Sequence, residues 1–260
     1  MVMRAPGHGA PPITADQLTE SDRLELSDGR LIHCQPTGAR GGDANGMGYA
    51  VVRWDPAVKK AGVDTGFSPT PHRLRAPDVS VGDIPDEPGW VKGTPKLAIE
   101  YADIGQDDDE LKKKIRELFE AGTRYIWVVR LAGPRRVEVH EPGRPMRLAQ
   151  PDDTLAAPGV LQNPVPVRAL YDADEAARVT LRNLLQRQGY EDLEAVLARG
   201  QEQGEITATR GALLRVLDRR GLALTEAQRA RIAGCADLAT LQGWLDAAIT
   251  AATAREALGD

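Results

Sequence analysis

Two carboxylates and a lysine stand where strand-like segments meet a predicted helix. Asp78 follows a proline directly before the run 79–81, and Glu100 lies inside the apolar segment 96–101. If both segments are strands, the carboxylates meet near one end of a sheet, within about 6 Å of each other. Such oxygen ligands suit Mg²⁺, which can polarise a scissile phosphate and activate a water. Lys114, one element later, could offset the negative charge that develops in such a reaction.

Each of these residues also has a simpler interpretation. The Pro77-Asp78 pair is common in turns, and the lysines at 112–114 could form a solvated helix face. Glu100 could face water at a strand end, but an acid within an apolar strand is costly unless it is exposed or paired. Glu100 is therefore the most informative of the three residues.

Other kinds of hydrolytic site are not indicated. The sequence has no Gly-x-Ser-x-Gly motif and no Cys–His arrangement typical of a nucleophilic hydrolase. The four histidines and two cysteines lack the spacing of a zinc site, and the distant Cys34 and Cys235 do not suggest a disulfide framework. We expect a protein of the reducing cytoplasm.

The N-terminal part of the chain predicts a hairpin. Short apolar segments around the Asp28-Gly29 pair predict two strands within residues 23–34. Thr14 can cap a short helix before them. The Gly-rich stretch 35–46 is expected to be a loop, and residues 49–60 could be partly helical.

The central part alternates between strands and one helix. The runs 79–81 and 96–101 predict strands, and the acids at 107–110 open a helix that Gly122 stops. Further strands are expected over residues 124–130, 135–140, 146–148 and 165–170. This order predicts an α/β fold with a mixed sheet flanked by helices.

The composition changes after Asp174. Lysine and proline are absent from there on, while leucines recur at helical spacing. We expect residues 1–13 to form a loose leader, residues 14–173 an α/β domain, and residues 174–260 an all-helical module. Its leucine stripes need a partner surface, which predicts pairing with another copy of the chain or with the α/β domain.

Charge and hydropathy limit the classes of partner. The net charge is −5 over 260 residues, whereas proteins that grip duplex DNA through many phosphates are usually basic. Nucleic acid could then bind only through a local patch or a metal. No apolar run approaches the length of a membrane span, and the first residues lack the apolar centre of a signal peptide.

Several segments in order resemble the Uma-two family of restriction-endonuclease-like proteins, within the PD-(D/E)XK nuclease superfamily. They are LELSDGRL, RAPDVSV, LAIEY, KIRELFEAGTRYIWVV and RRVEVHEPG, which together with the flanking segments span residues 14 to 171. The resemblance implies a restriction-endonuclease-like core and hydrolysis of nucleic-acid phosphodiester bonds with Mg²⁺ or Mn²⁺.

By this resemblance, Asp78 and Glu100 are metal ligands and Lys114 is the catalytic lysine. Ala102 stands where the simplest pattern has the lysine, and the family often moves that lysine onto the following helix. Glu25 matches the acid before the hairpin turn, as an additional metal ligand or as a group that holds the ligands; it could also be an ordinary hairpin residue.

Two functions from different classes follow. The first is a metal-dependent endonuclease that acts on nucleic acid, most simply DNA. The second is an inactive or weakly active nuclease-fold protein that works as an interaction and oligomerisation module through its helical tail. The acidic net charge and Ala102 favour the second.

Overall fold

The computed structural model describes residues 12–105 and 107–259. Residues 1–11, most of the expected leader, lie outside the described residues. The chain forms two compact units, one ending at Gly189 and the other beginning at Tyr190.

The first unit is mixed α/β, as predicted. Its strands are β1 (Leu24–Ser27), β2 (Arg30–His33), β3 (Ala61–Val63), β4 (Phe67–Thr70), β5 (Arg73–Arg75), β6 (Val79–Val81), β7 (Leu97–Ala102), β8 (Tyr125–Arg130), β9 (Arg136–His140), β10 (Arg147–Ala149), β11 (Thr154–Leu155) and β12 (Val165–Pro166). Its α-helices are α1 (Ala39–Arg53), α2 (Asp108–Glu120) and α3 (Ala173–Arg187), and short 3-10 helices cover Ala15–Gln17, Glu20–Asp22 and Val167–Leu170.

The strands form a large mixed sheet and smaller antiparallel ones. The six-stranded sheet has the order β10-β9-β8-β7-β6-β3, and only its β7–β8 pair is parallel. A four-stranded sheet has the order β2-β1-β5-β4, and β11 pairs with β12. The parallel pair needs a crossover, which α2 supplies.

The expected hairpin is present. Strands β1 and β2 pair antiparallel, with Ser27 opposite Arg30. The two residues between them, Asp28 and Gly29, both have positive φ, 49° and 80°. Two-residue hairpin turns of this kind match the twist of the strands, and glycine and aspartate tolerate the conformation.

Helix α2 covers one face of the large sheet. Asp107 caps its first turn by accepting hydrogen bonds from the backbone N–H groups of Asp109 and Glu110. Gly122, with φ 105°, ends it where the sequence predicted a stop. Its buried residues pack against alternate residues of β7 and β8, in one cluster of Ala98, Ala102, Leu111, Ile115, Leu118, Ile126 and Val128.

The expectation of a loop over residues 35–46 is wrong, because α1 begins at Ala39. Glycine lowers helix propensity, but packing overrides it here. Ala44, Val51 and Val52 of α1 are buried in the main core against the opposite sheet face. A Cβ on Gly48 would lie 2.1 Å from the Tyr101 hydroxyl oxygen of β7. Glycine there allows the helix to approach the sheet closely.

Helix α3 belongs to the first unit, so the division lies later in the chain than the boundary expected after residue 173. Ala176 and Val179 are buried in the main core. Asn183 Nδ2 donates to the Val51 carbonyl oxygen at 3.1 Å, and the Arg187 guanidinium donates to the carbonyl oxygen of Trp54 at 2.9 Å. These contacts tie α3 to α1 and its end.

The second unit is helical, as predicted for the tail. It contains α4 (Leu193–Arg219), α5 (Glu226–Gly234), α6 (Leu238–Thr250) and α7 (Ala254–Leu258). Their buried side chains form a core of their own, which includes Ile206, Leu213, Leu217, Ile232 and Leu241. Across the described residues, no helix combines the length and the apolar character that a membrane crossing needs.

Candidate active site

Strand alternation explains why Glu100 faces helix α2. In β7, Ile99 and Tyr101 join the main core on the α1 side, while Ala98 and Ala102 contact the α2 side. Because successive side chains point to opposite faces, Glu100 falls on the same side as the two alanines. It is only 6% exposed. The acid in an otherwise apolar strand is therefore buried beneath α2.

Lys114 meets Glu100 from the helix. It lies on the α2 face that carries the buried Leu111 and Leu118, since residues three and four apart in a helix are neighbours. Its Nζ lies 3.0 Å from each carboxylate oxygen of Glu100 and donates a hydrogen bond to Oε2. It also donates to the Ala76 carbonyl oxygen at 2.8 Å. Lys114 is thus a largely buried cation that two hydrogen bonds hold in place, and it is not part of a solvated helix face.

Glu25 completes the surroundings of Lys114. Its Oε1 lies 3.1 Å from Lys114 Nζ and accepts a hydrogen bond from the Ala76 N–H at 3.1 Å. Its Oε2 accepts from Arg75 Nη1 at 2.8 Å. Both oxygens already have protein donors, so the geometry suits Glu25 to holding Lys114 better than to binding a metal.

Arg75 is the centre of a buried network that the sequence analysis missed. Besides Glu25, its guanidinium donates to Glu117 Oε2 at 2.5 Å and to Glu110 Oε1 at 2.8 Å. The other Glu117 oxygen accepts from the Ser27 hydroxyl at 2.5 Å. The sequence shows an arginine two residues before the Pro-Asp pair and acids that flank Lys114 at helical spacing, but such charges are equally typical of a solvated surface.

Asp78 lies beside Glu100 along the sheet. The last antiparallel pair between β6 and β7 is Val79 with Ile99, and one further step of that register places Asp78 across from Glu100. The Asp78 Oδ2 atom accepts a hydrogen bond from the Tyr101 N–H at 2.5 Å. Residues directly opposite each other share a face of the sheet. The expected carboxylate separation of about 6 Å stays a prediction.

Asp64 is a further carboxylate in this row that the sequence analysis did not select. It follows β3, where Val63 pairs with Val79, and its N–H donates to the Asp78 carbonyl oxygen at 3.3 Å. Its φ of 49° is left-handed, a conformation uncommon for residues other than glycine. The negative charge of Asp64 helps to raise the pKa of Asp78.

Burial and charge shift the pKa of the three carboxyl groups closest to Lys114, those of Glu100, Asp78 and Glu25. Burial raises the pKa of Glu100 to about 8, because the attraction of Lys114 only partly offsets it. Burial also raises the pKa of Asp78. For Glu25 burial acts in the same direction, but the charges of Lys114 and Arg75 outweigh it and lower the pKa.

Lys114 stays charged. Burial alone would lower its pKa, but the carboxylates of Glu100, Glu25 and Asp78 outweigh burial and raise the pKa above its ordinary value. A lysine that keeps its proton at neutral pH cannot serve as a general base. It can serve as a fixed positive charge and as a hydrogen-bond donor.

The donor set fits a hard divalent cation held by few protein ligands. Glu100 Oε1 is buried and accepts no hydrogen bond of acceptable geometry, although Lys114 Nζ is near. The network holds more carboxylates than cations: Glu25, Asp78, Glu100, Glu110 and Glu117 against Arg75, Lys113 and Lys114. Within the described residues, no three His, Cys, Asp or Glu side chains form a metal site by themselves. Asp78 and Glu100 would bind one cation together with waters or substrate, as Mg²⁺ sites commonly do.

Comparison with known proteins agrees with this fold. A crystal structure described as a "putative nuclease belonging to DUF820", from Anabaena variabilis ATCC 29413, is 19% identical with a TM-score of 0.53. The similarity covers 64% of this chain and 99% of that chain, and it shows a common fold. No curated protein is similar enough to this chain to count as a match.

The first unit therefore has the fold of a restriction-endonuclease-like protein. The model of the Uma2 family, whose description is "Putative restriction endonuclease", matches residues 14–167, more than half of the chain. The chain belongs to this family, which confirms the resemblance drawn from its sequence segments. The match ends before α3 and excludes the whole second unit.

Proposed function

We propose that the protein is a metal-dependent endonuclease that hydrolyses phosphodiester bonds of nucleic acid, most simply DNA. The observation that carries this proposal is the contact of Lys114 Nζ with Glu100, 3.0 Å away, on a strand whose register places Asp78 across from Glu100. Membership of the Uma2 family supports the same reaction class.

Asp78 and Glu100 would hold the divalent cation, Mg²⁺ or Mn²⁺. Such a cation supplies Lewis acidity, which polarises the phosphate and lowers the pKa of a nearby water. Binding requires Glu100 to be ionised, and its raised pKa means that it gives up a proton in the process. Asp78 is held by the Tyr101 N–H, which fixes one of its oxygens and leaves the other to bind.

Lys114 acts as a fixed charge. When water attacks phosphorus and one P–O ester bond breaks, negative charge grows on the phosphoryl oxygens. The Lys114 ammonium, held between Glu25 and Glu100, stabilises that charge or orients the water without giving up its proton. Glu25 holds the ammonium in place and is not proposed as a metal ligand, because both of its oxygens have donors.

The test is a panel of single-stranded, duplex and branched DNA and RNA with Mg²⁺ or Mn²⁺. We expect cleavage of at least one substrate and its loss on chelation. The Glu100→Ala protein, purified in the same way, controls for contaminating nuclease. Equal cleavage by wild type and Glu100→Ala protein contradicts the proposal.

A non-catalytic function is the second candidate. The observations that favour it are the net charge of −5 and a helical unit that lies outside the family match. In that case the protein works as an interaction module that forms homo-oligomers through its C-terminal helices. We propose such oligomers, and a cytoplasmic location, for the nuclease as well. Binding of nucleic acid without cleavage under any metal condition would favour this candidate.

A further inference from the structure

Arg75 connects strand β1 of the hairpin with helix α2, and through Glu25 it contacts the surroundings of Lys114. Its side chain is buried, 3% exposed, and donates to three carboxylates within 2.8 Å. Arginine presents its donors in a rigid planar fork, which lysine cannot reproduce. One arginine side chain therefore fixes the positions of all three carboxylates relative to one another.

Two of its three acceptors flank Lys114 on the helix. Glu110 lies four residues before Lys114, and Glu117 lies three residues after it. Residues at these spacings share one helix face. By binding both, Arg75 fixes the rotation and the axial position of α2 at the turn that carries Lys114.

The third acceptor acts on Lys114 directly. Arg75 Nη1 and the N–H of the next residue, Ala76, donate to the two oxygens of Glu25. Glu25 in turn lies 3.1 Å from Lys114 Nζ, and the Ala76 carbonyl accepts from the same ammonium. Residues 75 and 76 thus orient both the ammonium and the carboxylate beside it.

We propose that Arg75 is a positioning residue for the catalytic ammonium: it locks Glu25 and α2 so that Lys114 is held against Glu100. This inference rests on the proposed function for its effect on rate. The geometric part does not, because the position of the ammonium can be measured without substrate.

The chain offers a matched control in the same strand. Arg73 of β5 also binds α2, through Glu120 at 2.7 Å, and it binds Asp28 of the hairpin turn. It contacts neither Glu25 nor Lys114 among the described residues. Arg73→Lys therefore changes the same residue type at the same sheet and helix without touching the ammonium.

The first measurement follows the Lys114 side-chain ammonium by NMR in protein labelled with ¹⁵N-lysine, assigned by its absence from Lys114→Arg protein. A hydrogen-bonded, buried ammonium exchanges its protons slowly and gives an observable signal. We expect the signal to shift and to exchange faster in Arg75→Lys and Glu25→Gln protein, and to stay unchanged in Arg73→Lys protein. An unchanged signal in folded Arg75→Lys protein overturns the proposal.

The second measurement separates positioning from metal binding and from general damage. We expect Arg75→Lys to lower kcat by about 10- to 100-fold, as loss of a supporting partner commonly does. The Kd for Mg²⁺ should stay close to wild type. Because Arg75 acts partly through Glu25, the double variant with Glu25→Gln should lose less than the product of the single losses. Fully multiplicative losses overturn the proposal.

If Arg75→Lys protein does not fold, the second variant is Glu117→Gln, whose neutral side chain of equal shape weakens the contact of Arg75 with α2. It should move the Lys114 signal in the same direction. An unmoved signal in that variant overturns the proposal. If wild type cleaves no nucleic acid, the proposed function fails, while the Lys114 signal still decides whether Arg75 positions the ammonium.

Discussion

Glu100 is subject to opposing influences at the scale of a single residue. Burial raises its pKa from 4.5 to about 8, while Lys114 attracts its charged form. Between these two pH values the unfolded chain ionises this carboxyl more readily than the folded protein does. The folded state then binds more protons, so stability falls as pH rises through this window.

We predict that Glu100→Gln protein, which mimics the protonated acid, gains stability relative to wild type as pH rises from 5 towards 8. The measurement is the melting temperature of both proteins against pH in the presence of a chelator. A difference that shrinks with rising pH would mean that the Lys114 ion pair dominates over burial. Added Mg²⁺ should stabilise wild type more at pH 8 than at pH 6, because binding needs the ionised carboxylate.

A second prediction for a single residue concerns Lys114, the last of three consecutive lysines at 112–114. Lys114→Ala should lower the rate of cleavage by about a hundredfold or more, because one contact to the developing charge is lost. It should leave metal binding largely intact, whereas Asp78→Ala or Glu100→Ala should weaken it. Calorimetric titration with Mn²⁺ and single-turnover kinetics measure the two effects separately.

Lys112→Ala is the matched control for this prediction. Lys112 lies on the same helix, but its side chain is 72% exposed and pairs only with Asp109 among the described residues. We expect its substitution to change cleavage little. A comparable loss in both variants would assign the effect to the general charge of the helix.

The sequence predicted Asp78, Glu100 and Lys114, but it did not predict the buried Arg75 network beside them. Pro77-Asp78, the acid in LAIEY and the lysine that the family resemblance places on the helix after it are local signals, and they predicted residues that the fold brings close together. Arg75 and Glu117 interact across 42 positions of sequence. Nothing local distinguishes such a pair from solvated charges, because only the tertiary fold buries both.

At the scale of elements, the local prediction was wrong at α1 and in part over residues 165–170, where the strand ends at Pro166 and a short 3-10 helix follows. The glycines of α1 favour a loop by propensity, and packing of its buried face into the main core makes the helix. The elements with strong local signals were predicted correctly: the Asp28-Gly29 hairpin and the helix that Gly122 ends. Where propensity and tertiary packing disagree, the sequence alone gave no means to choose.

Two glycines of α1 test this explanation. Gly48→Ala should destabilise the first unit by about 1–3 kcal/mol, because overpacking forces the helix away from Tyr101. Gly46→Ala, in the same helix but with no atom of another element within 4 Å of the added Cβ, should instead stabilise by about 0.5–1 kcal/mol. Urea unfolding of both variants measures the difference. Equal effects would show that Gly48 is not a close-packing residue.

At the scale of the whole molecule, the family fold ends before the chain does. The matched segment stops at residue 167, yet α3 packs into the same core through Ala176 and Val179. The composition change after Asp174 led the sequence analysis to group α3 with the tail. Composition indicates that a segment is helical, whereas the core into which α3 packs its buried face decides to which unit the helix belongs.

The position of the division between the units gives the last prediction. A chain that ends at Gly189 keeps α3, its buried Asn183 and the Arg187 contacts with the carbonyl oxygens that follow α1. We expect it to fold cooperatively and to keep the Mg²⁺ affinity of the full chain. A chain that ends at residue 173 exposes the core under α3, and burying one valine alone contributes about 1.5–3 kcal/mol. It should therefore melt at a lower temperature or fail to fold.

A comparison of the chain ending at Gly189 with the full chain also tests the role of the helical tail. If the C-terminal helices form the oligomer, light scattering should give a monomer mass for the chain ending at Gly189 and a multiple of the protomer mass for the full chain. The leucine stripes motivate this expectation, since Leu193 and Leu197 of α4 stay 49% and 63% exposed and apolar helix faces need a partner. Replacing both leucines by glutamine in the full chain should then give a monomer without loss of the second core, whose helices can be followed by circular dichroism. A full chain that is monomeric at all concentrations, with the same melting temperature as the leucine variant, contradicts oligomerisation through the tail.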